Sequence, residues 1–353
     1  MMKILTILGA RPQFIKSAPL SLAFKKNQIQ EVVIHTGQHY DFSMSEIFFK
    51  TLKLKKPLYQ LNHGSKSHAQ MTADILKDTE AILLQEKPDF TLVYGDTNST
   101  LAGALASIKL QIPIIHIESG LRSFDHTMPE EINRILTDKI SKILFCPTKN
   151  ALSNLKKEGF KAPQYLIKNV GDIMFDASKL FATYATKPNL SIQSHFCICT
   201  LHRAENTDDS KKLHTILKAI DKIASKQQVI FPIHPRIQTL FSTKDYPHIT
   251  FCPPLGYLEM LWLLQKTQIV LTDSGGLQKE AYFFKKHCIV LRENSEWMEL
   301  IENNYNFLTG SDEEKILTTF DNISQISNSS FCEKFYGNGK SAQKIISVLK
   351  GFE

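Results

Sequence analysis

No run of about 18 apolar residues occurs anywhere in the chain, which excludes a membrane-spanning helix on length alone. The apolar start, Ile4 to Leu8, is too short for a signal peptide and stops at a Gly-Ala-Arg-Pro turn. It reads as a first strand, with the cytoplasm as the default location. No G-x-G-x-x-G follows that strand and no G-x-x-x-x-G-K-[ST] occurs, which argues against a nicotinamide enzyme and an NTPase. Cysteine is sparse: six in 353 residues (Cys146, Cys197, Cys199, Cys252, Cys288 and Cys332). Most lie in apolar runs such as "ILFCP" and "HCIVL", the setting of buried, reduced thiols. Cys197 and Cys199 form a C-x-C, yet no second Cys/His pair stands at metal spacing, so no metal or cofactor is expected. Internal repeats and low-complexity tracts are also missing.

What is present is ordinary in proportion. Hydrophobic residues make up 42% and charged residues 22%, as in a soluble globular protein. At about 100 to 200 residues per domain, the length suits two domains. The net charge of +7 is dispersed in short groups ("LKLKK", "NLKKEG", "FFKKH") without interleaved aromatics, which reads as solvated helix faces. No nucleic acid or membrane partner is expected, while a positive surplus also suits a phosphorylated small substrate.

Strand-like runs alternate with helix-like ones. "KILTIL", "EVVIHT", "FTLVYG", "IPIIHIE" and "KILFCP" come first, and the rhythm restarts after about residue 170 with "HFCICTLH", "QVIFPIH", "ITFCPP", "QIVLTD" and "CIVLRE". Near-continuous apolar strands separated by helices predict parallel sheets covered on both faces. The reading is therefore α/β, with two Rossmann-like, doubly wound domains in tandem. The boundary falls near "KNVGDIMFDA", giving residues 1–170 as the first domain and 171–337 as the second. The last pattern, "KSAQKIISVLKG", is an amphipathic helix.

In open α/β sheets ligands bind at the carboxyl ends of the strands. The polar residues there are Arg11, Gln38 and His39, Asp96, Glu118, His202 and Arg203, His234, Asp273 and Ser274, and Arg292. If the two sheets face each other across a cleft, acids and cations meet there, a mixture suited to acid/base chemistry on an anion. "TDSGGLQKEA" opens a helix with Ser274, Gly275 and Gly276, where main-chain N–H groups and the dipole favour a diphosphate; a plain N-cap with two turn glycines explains the same residues. "LHRAEN" sets His202 beside Arg203, a residue suited to bidentate phosphate contact, against the plainer reading of a solvated loop. "HIESGLRSFDHTMPEEINR" closes a strand with Glu118 and places Glu130 and Glu131 at a helix start, where the dipole favours acids in any case.

Taken in order, "GARPQFIK", "VYGDTNST", "HIESGLRS…MPEEINR", "LHRAEN" and "LTDSGGLQKEA" resemble the bacterial non-hydrolysing UDP-N-acetylglucosamine 2-epimerase family, over residue 3 to about 345. The resemblance implies a GT-B-like fold, UDP in the cleft, a C-terminal helix (338–353) returning to the first domain, a homodimer, and a role in surface polysaccharide synthesis. It implies elimination of UDP from C1 while a base takes the C2 proton, giving a 2-acetamidoglucal, then re-addition with protonation on the other face. Asp96, Glu118 and Glu130 match the family's catalytic carboxylates and His202 its essential histidine. Arg11, Lys16, Arg203, His234, Tyr257, Ser274, Gly275, Gly276, Glu280 and Arg292 match substrate or UDP contacts, and Gln38 and His39 border a second, allosteric site in typical members.

The departures are specific. Gln13 replaces the glutamate of the commoner Arg-Pro-Glu, and "RENSEW" replaces "RDTTERPE". These variants are similar to those of the branch acting on UDP-2,3-diacetamido-2,3-dideoxyglucuronate. A glycosyltransferase would use the same fold and UDP cleft but needs an acceptor. A hydrolysing epimerase would release UDP, and a basic binding module would leave the strand-end carboxylates without purpose.

Overall fold

The structure, a computed structural model, describes residues 1–38, 56–323, 326, 331 and 335–352. His39 and Cys332 lie outside them. The chain divides into two compact units, residues 1–180 with 334–353, and residues 181–333.

Unit 1 is built on β1 (Lys3–Leu8), β2 (Gln30–His35), β3 (Tyr59–Gln60), β4 (Phe90–Tyr94), β5 (Ile114–Ile117), β6 (Ile143–Cys146) and β7 (Leu166–Asn169). They form one sheet in the order β3-β2-β1-β4-β5-β6-β7, with every pairing parallel. Every residue of β4, β5 and β6 is buried, as a sheet covered on both faces requires. The helix Asn98–Lys109 packs closely because its residues are small: a Cβ on Gly103 would stand 2.3 Å from Ile7 Cδ1. The other face carries Phe14, Leu20 and Phe24 of the helix Arg11–Lys26, together with Ala342, Ile345, Ile346 and Leu349 of the C-terminal helix Ser341–Leu349. Asp176 accepts hydrogen bonds from the Ser341 and Ala342 N–H groups at 3.0 and 2.9 Å and so caps that last helix.

Unit 2 repeats the plan with β8 (Phe196–Thr200), β9 (Gln228–Pro232), β10 (Thr250–Cys252), β11 (Ile269–Thr272), β12 (His287–Val290) and β13 (Asn306–Leu308), ordered β10-β9-β8-β11-β12-β13 and parallel throughout. Its core combines Cys197, Cys199, Val229, Phe231, Leu271 and Ile289 with the apolar face of the helix Ser210–Ala224. Cys146, Cys197, Cys199, Cys252 and Cys288 are buried and unbridged. Burial pushes the Cys146 and Cys197 thiols up to about 12, so neither is a nucleophile at neutral pH.

In each sheet the strand order reverses at one place, between β1 and β4 and between β8 and β11. There the connections leave in opposite directions and the carboxyl ends open a crevice. The two doubly wound units therefore carry one switch point each.

Candidate active site

In unit 1, Asp96 stands two residues beyond β4 and Glu118 directly after β5. Asp96 is paired through Oδ2 with the Arg134 guanidinium, and its main-chain carbonyl accepts from Asn133 Nδ2 at 2.9 Å. Arg134 also donates to Glu131 Oε2 at 3.1 Å. Glu131 is only 1% exposed and accepts from Ser123 N–H, Ser123 Oγ and Phe124 N–H, which fixes the loop ahead of the helix Pro129–Ile140. One helix thus supplies the groups that aim Asp96. Glu130, the third expected carboxylate, is exposed in that helix's first turn.

Glu118 is 6% exposed and has φ +68°, a left-handed conformation uncommon for a residue with a side chain. Such strain persists where the surroundings over-determine it and clusters at functional sites. Its Oε2 lies 2.5 Å from Lys16 Nζ. Burial works against the Lys16 charge, yet the carboxylates of Glu118, Asp172 and Asp96 together raise its pKa above the usual lysine value. Lys16 is therefore a fixed cation among three acids.

Gln13 clamps this switch point. Its Oε1 accepts from Gly9 and Ala10 N–H at 2.7 and 3.1 Å, and the two hydrogens of its Nε2 are shared among Tyr94 O, Thr97 Oγ1 and Thr100 Oγ1 at 2.7, 3.1 and 3.0 Å. An amide does both jobs, whereas an ionised carboxylate only accepts. Arg11, the first residue of the following helix, has a buried Nε without a hydrogen-bond partner among the described residues. Gln38 Oε1 accepts from Ser99 N–H and Oγ at 3.0 and 2.6 Å, capping the helix that follows Asp96.

In unit 2, Asp273 is fully buried and accepts from His202 N–H and Arg203 N–H at 3.0 and 2.9 Å and from Asn206 Nδ2 at 3.3 Å. It ties the end of β8 to the end of β11, so His202 and Arg203 are presented by a rigid turn. Burial lowers the His202 pKa; Asp273 pulls the other way, while Arg203, His234 and Arg236 add to the lowering. The His202 and His234 rings lie 5.4 Å apart. The His234 Nδ1 accepts from Arg236 N–H at 3.1 Å, leaving Nε2 as the donor of a neutral ring.

Ser274 caps the helix Gly275–Phe283, accepting from Leu277 N–H at 3.4 Å. A Cβ added at Gly275 would meet Glu296 Oε2, Trp297 Nε1 and Arg203 Nη2 at 3.3, 3.6 and 3.8 Å, while at Gly276 it would meet only Ser274 Oγ at 3.9 Å. A helix N-terminus flanked by an arginine is an anion site in form. The Arg203 Nε, like that of Arg11, is buried without a partner among the described residues. Arg292 differs: it donates to Glu205, to both Glu296 oxygens and to Asn294, and so holds the 292–297 loop. Tyr257 donates to Glu280 Oε1 at 2.8 Å.

Sequence reasoning passed over Gln13, Glu131, Asn133 and Arg134 as parts of the site. The i,i+3 spacing of Glu131 and Arg134 in "PEEINR" is the available signal for those two.

The family model described as UDP-N-acetylglucosamine 2-epimerase matches residues 23–350. A UDP-2,3-diacetamido-2,3-dideoxy-D-glucuronate 2-epimerase of Pseudomonas aeruginosa is 49% identical over 99% of both chains. A UDP-N-acetylglucosamine 2-epimerase of Methanocaldococcus jannaschii is 41% identical, again over 99% of both. Among solved structures, the M. jannaschii UDP-GlcNAc 2-epimerase in complex with UDP-GlcNAc and UDP aligns with TM-score 0.86 and 40% identity over 99% of this chain and 100% of that one. The Neisseria meningitidis enzyme bound to UDP-GlcNAc aligns with TM-score 0.88 and 29% identity over the same shares. The chain belongs to the UDP-N-acetylglucosamine 2-epimerase family, and its fold is GT-B-like.

Proposed function

We propose that this member of the family interconverts UDP-GlcNAc and UDP-ManNAc without hydrolysis. The C2 hydrogen of the sugar has no adjacent carbonyl, so direct deprotonation is very unfavourable. Elimination avoids this: a base takes the C2 proton as the C1–O bond to UDP breaks, leaving a 2-acetamidoglucal and UDP. Re-addition forms the C1–O bond again while C2 receives a proton on the opposite face. The observation that carries the reading is the pair of strand-end carboxylates in unit 1, each held by its own cation, Asp96 by Arg134 and Glu118 by Lys16. General acid/base groups need this kind of fixed geometry.

In this reading Asp96, Glu118 and the exposed Glu130 exchange the protons. His202, Arg203, His234 and the Ser274–Gly276 turn receive the leaving diphosphate, and Arg11 adds a further cation. The Nε groups of Arg11 and Arg203, buried without a partner among the described residues, support an anionic ligand, because buried donors are seldom left unpaired. Tyr257 and Glu280 address the nucleoside. The enzyme acts in the cytoplasm as a homodimer and supplies an activated sugar for surface polysaccharide.

A second reading keeps the chemistry and changes the sugar to UDP-2,3-diacetamido-2,3-dideoxyglucuronate. It is favoured by the 49% identity to the Pseudomonas enzyme of that name. Turnover of each UDP-sugar alone, followed by separation of nucleotide sugars, tests both. UDP-ManNAc from UDP-GlcNAc supports the first; conversion of the uronate alone supports the second; a strict need for an acceptor overturns both.

A further inference from the structure

We propose that His116 and Asp138 are positioning residues for the two strand-end carboxylates, with His116 acting as a buried imidazolium whose two ring N–H groups both donate. His116 lies within β5, and both side chains are 0% exposed. Its Nε2 is 2.8 Å from the Gly95 carbonyl oxygen and its Nδ1 is 2.7 Å from Asp138 Oδ1. Gly95 is the residue before Asp96. Asp138 Oδ2 accepts from the Gly120 N–H at 3.0 Å and from Arg122 Nη1 at 2.8 Å, and Gly120 lies two residues after Glu118. One histidine and one aspartate therefore connect the turn bearing Asp96 to the turn bearing Glu118.

Donor counting fixes the proton inventory. A main-chain carbonyl only accepts, so Nε2 carries a proton. Nδ1 faces a carboxyl oxygen, and the contact is a hydrogen bond only if one proton lies between them. Either His116 is an imidazolium against a carboxylate, or a neutral imidazole accepts from a protonated Asp138. The Arg122 guanidinium on the other carboxyl oxygen favours the charged pair. Arg122 is itself held by Glu158 through Nε and Nη2 at 2.7 and 2.9 Å, which completes an alternation of cations and anions from His116 outward. A buried ion pair is tolerated where further hydrogen bonds satisfy both partners, as they do here.

The Glu118 turn needs such support. Gly120 has φ +78°, and a Cβ there would lie 2.4 Å from the Ala151 carbonyl oxygen, so only glycine fits the turn as it stands. Glu118 is left-handed as well. The Asp138 contact with Gly120 N–H holds the turn in register with Gly95, and through His116 it holds the peptide that carries Asp96.

The effect on turnover rests on the epimerase reading, but the protonation state does not. Nitrogen-15 NMR of histidine-labelled full-length protein at neutral pH tests the second directly. The expected result is one slowly exchanging histidine with both ring nitrogens of imidazolium type, lost in His116→Gln and changed in Asp138→Asn. A His116 ring with one pyridine-type nitrogen would overturn the imidazolium. For the positioning role, a misplaced catalytic group costs up to about 100-fold. Both variants are expected to lose about that much in kcat for the UDP-sugar the wild type converts, while KM and UDP affinity stay near wild type and the melting temperature falls, because one partner of a buried pair is removed. Unchanged kcat in either folded variant would overturn it.

Discussion

The roles proposed for Asp96 and Glu118 rest on the cations beside them. Removing the proton-transfer group while keeping its shape isolates the chemistry: Asp96→Asn is expected to lower kcat about 10²–10⁴-fold. UDP affinity, measured by calorimetry, should stay within error, because Asp96 is not among the proposed diphosphate contacts, which apart from Arg11 belong to unit 2. Wild-type turnover in that variant would remove Asp96 from the reaction. His202 makes a second prediction. Its folded pKa lies below the ordinary 6.5, so just below that value the free protein leaves it neutral while an unfolded chain protonates it. That share of stability is present above pH 6.5 and is lost as pH falls through the folded value. A bound diphosphate diester favours the charged ring, so UDP-GlcNAc binding near pH 6.5 should take up protons in wild type but not in His202→Ala. Calorimetry in buffers of different ionisation enthalpy reads this, and equal uptake in the variant would place the proton elsewhere. At this scale the sequence disclosed which polar residues end strands, because apolar runs stop there. It did not disclose Arg134 or Gln13, whose importance depends on partners 38 and 81 residues away in the chain.

Turns and helices carry those residues to their places, and two are exposed to test. Gly120→Ala forces a Cβ against the Ala151 carbonyl and a side chain into a left-handed conformation, so a loss of about 1–3 kcal/mol or more is expected in urea unfolding. A stability change near zero would mean that the turn has another course. Asp176→Ala removes the cap on Ser341–Leu349 and should cost roughly 1 kcal/mol. Hydrogen exchange concentrated in that helix would confirm where the loss falls, whereas exchange spread evenly would not fit a capping role. The helix Pro129–Ile140 shows what pattern reading misses. Glu130 and Glu131 are adjacent in sequence, yet one is exposed and the other is buried against Ser123, Phe124 and Arg134. The dipole argument treats both alike; only the loop that returns over the helix start separates them.

At the scale of the whole molecule, the strand pattern carried most of the architecture. Continuous apolar strands such as "FTLVY" and "ILFC" are the mark of a sheet buried on both sides, and both parallel sheets follow. The short strands Tyr59–Gln60 and Asn306–Leu308 had no such mark, because edge strands this brief hold too few apolar residues to show a period. The chain's two units divide at Leu180, within the helix Ile173–Ala182, whose first residue packs in the core of unit 1. A turn signal at Val170–Asp172 marks where the backbone bends; contacts decide where a unit ends.

The signature of elimination and re-addition is exchange at one carbon. The pure protein with UDP-GlcNAc alone in deuterated water, followed by proton NMR, reads the C2 position and the anomeric signals together. The expected result is loss of the C2 proton signal to deuterium as UDP-ManNAc forms, with no acceptor and no net release of sugar from UDP. UDP-ManNAc that retains the original C2 hydrogen would contradict it.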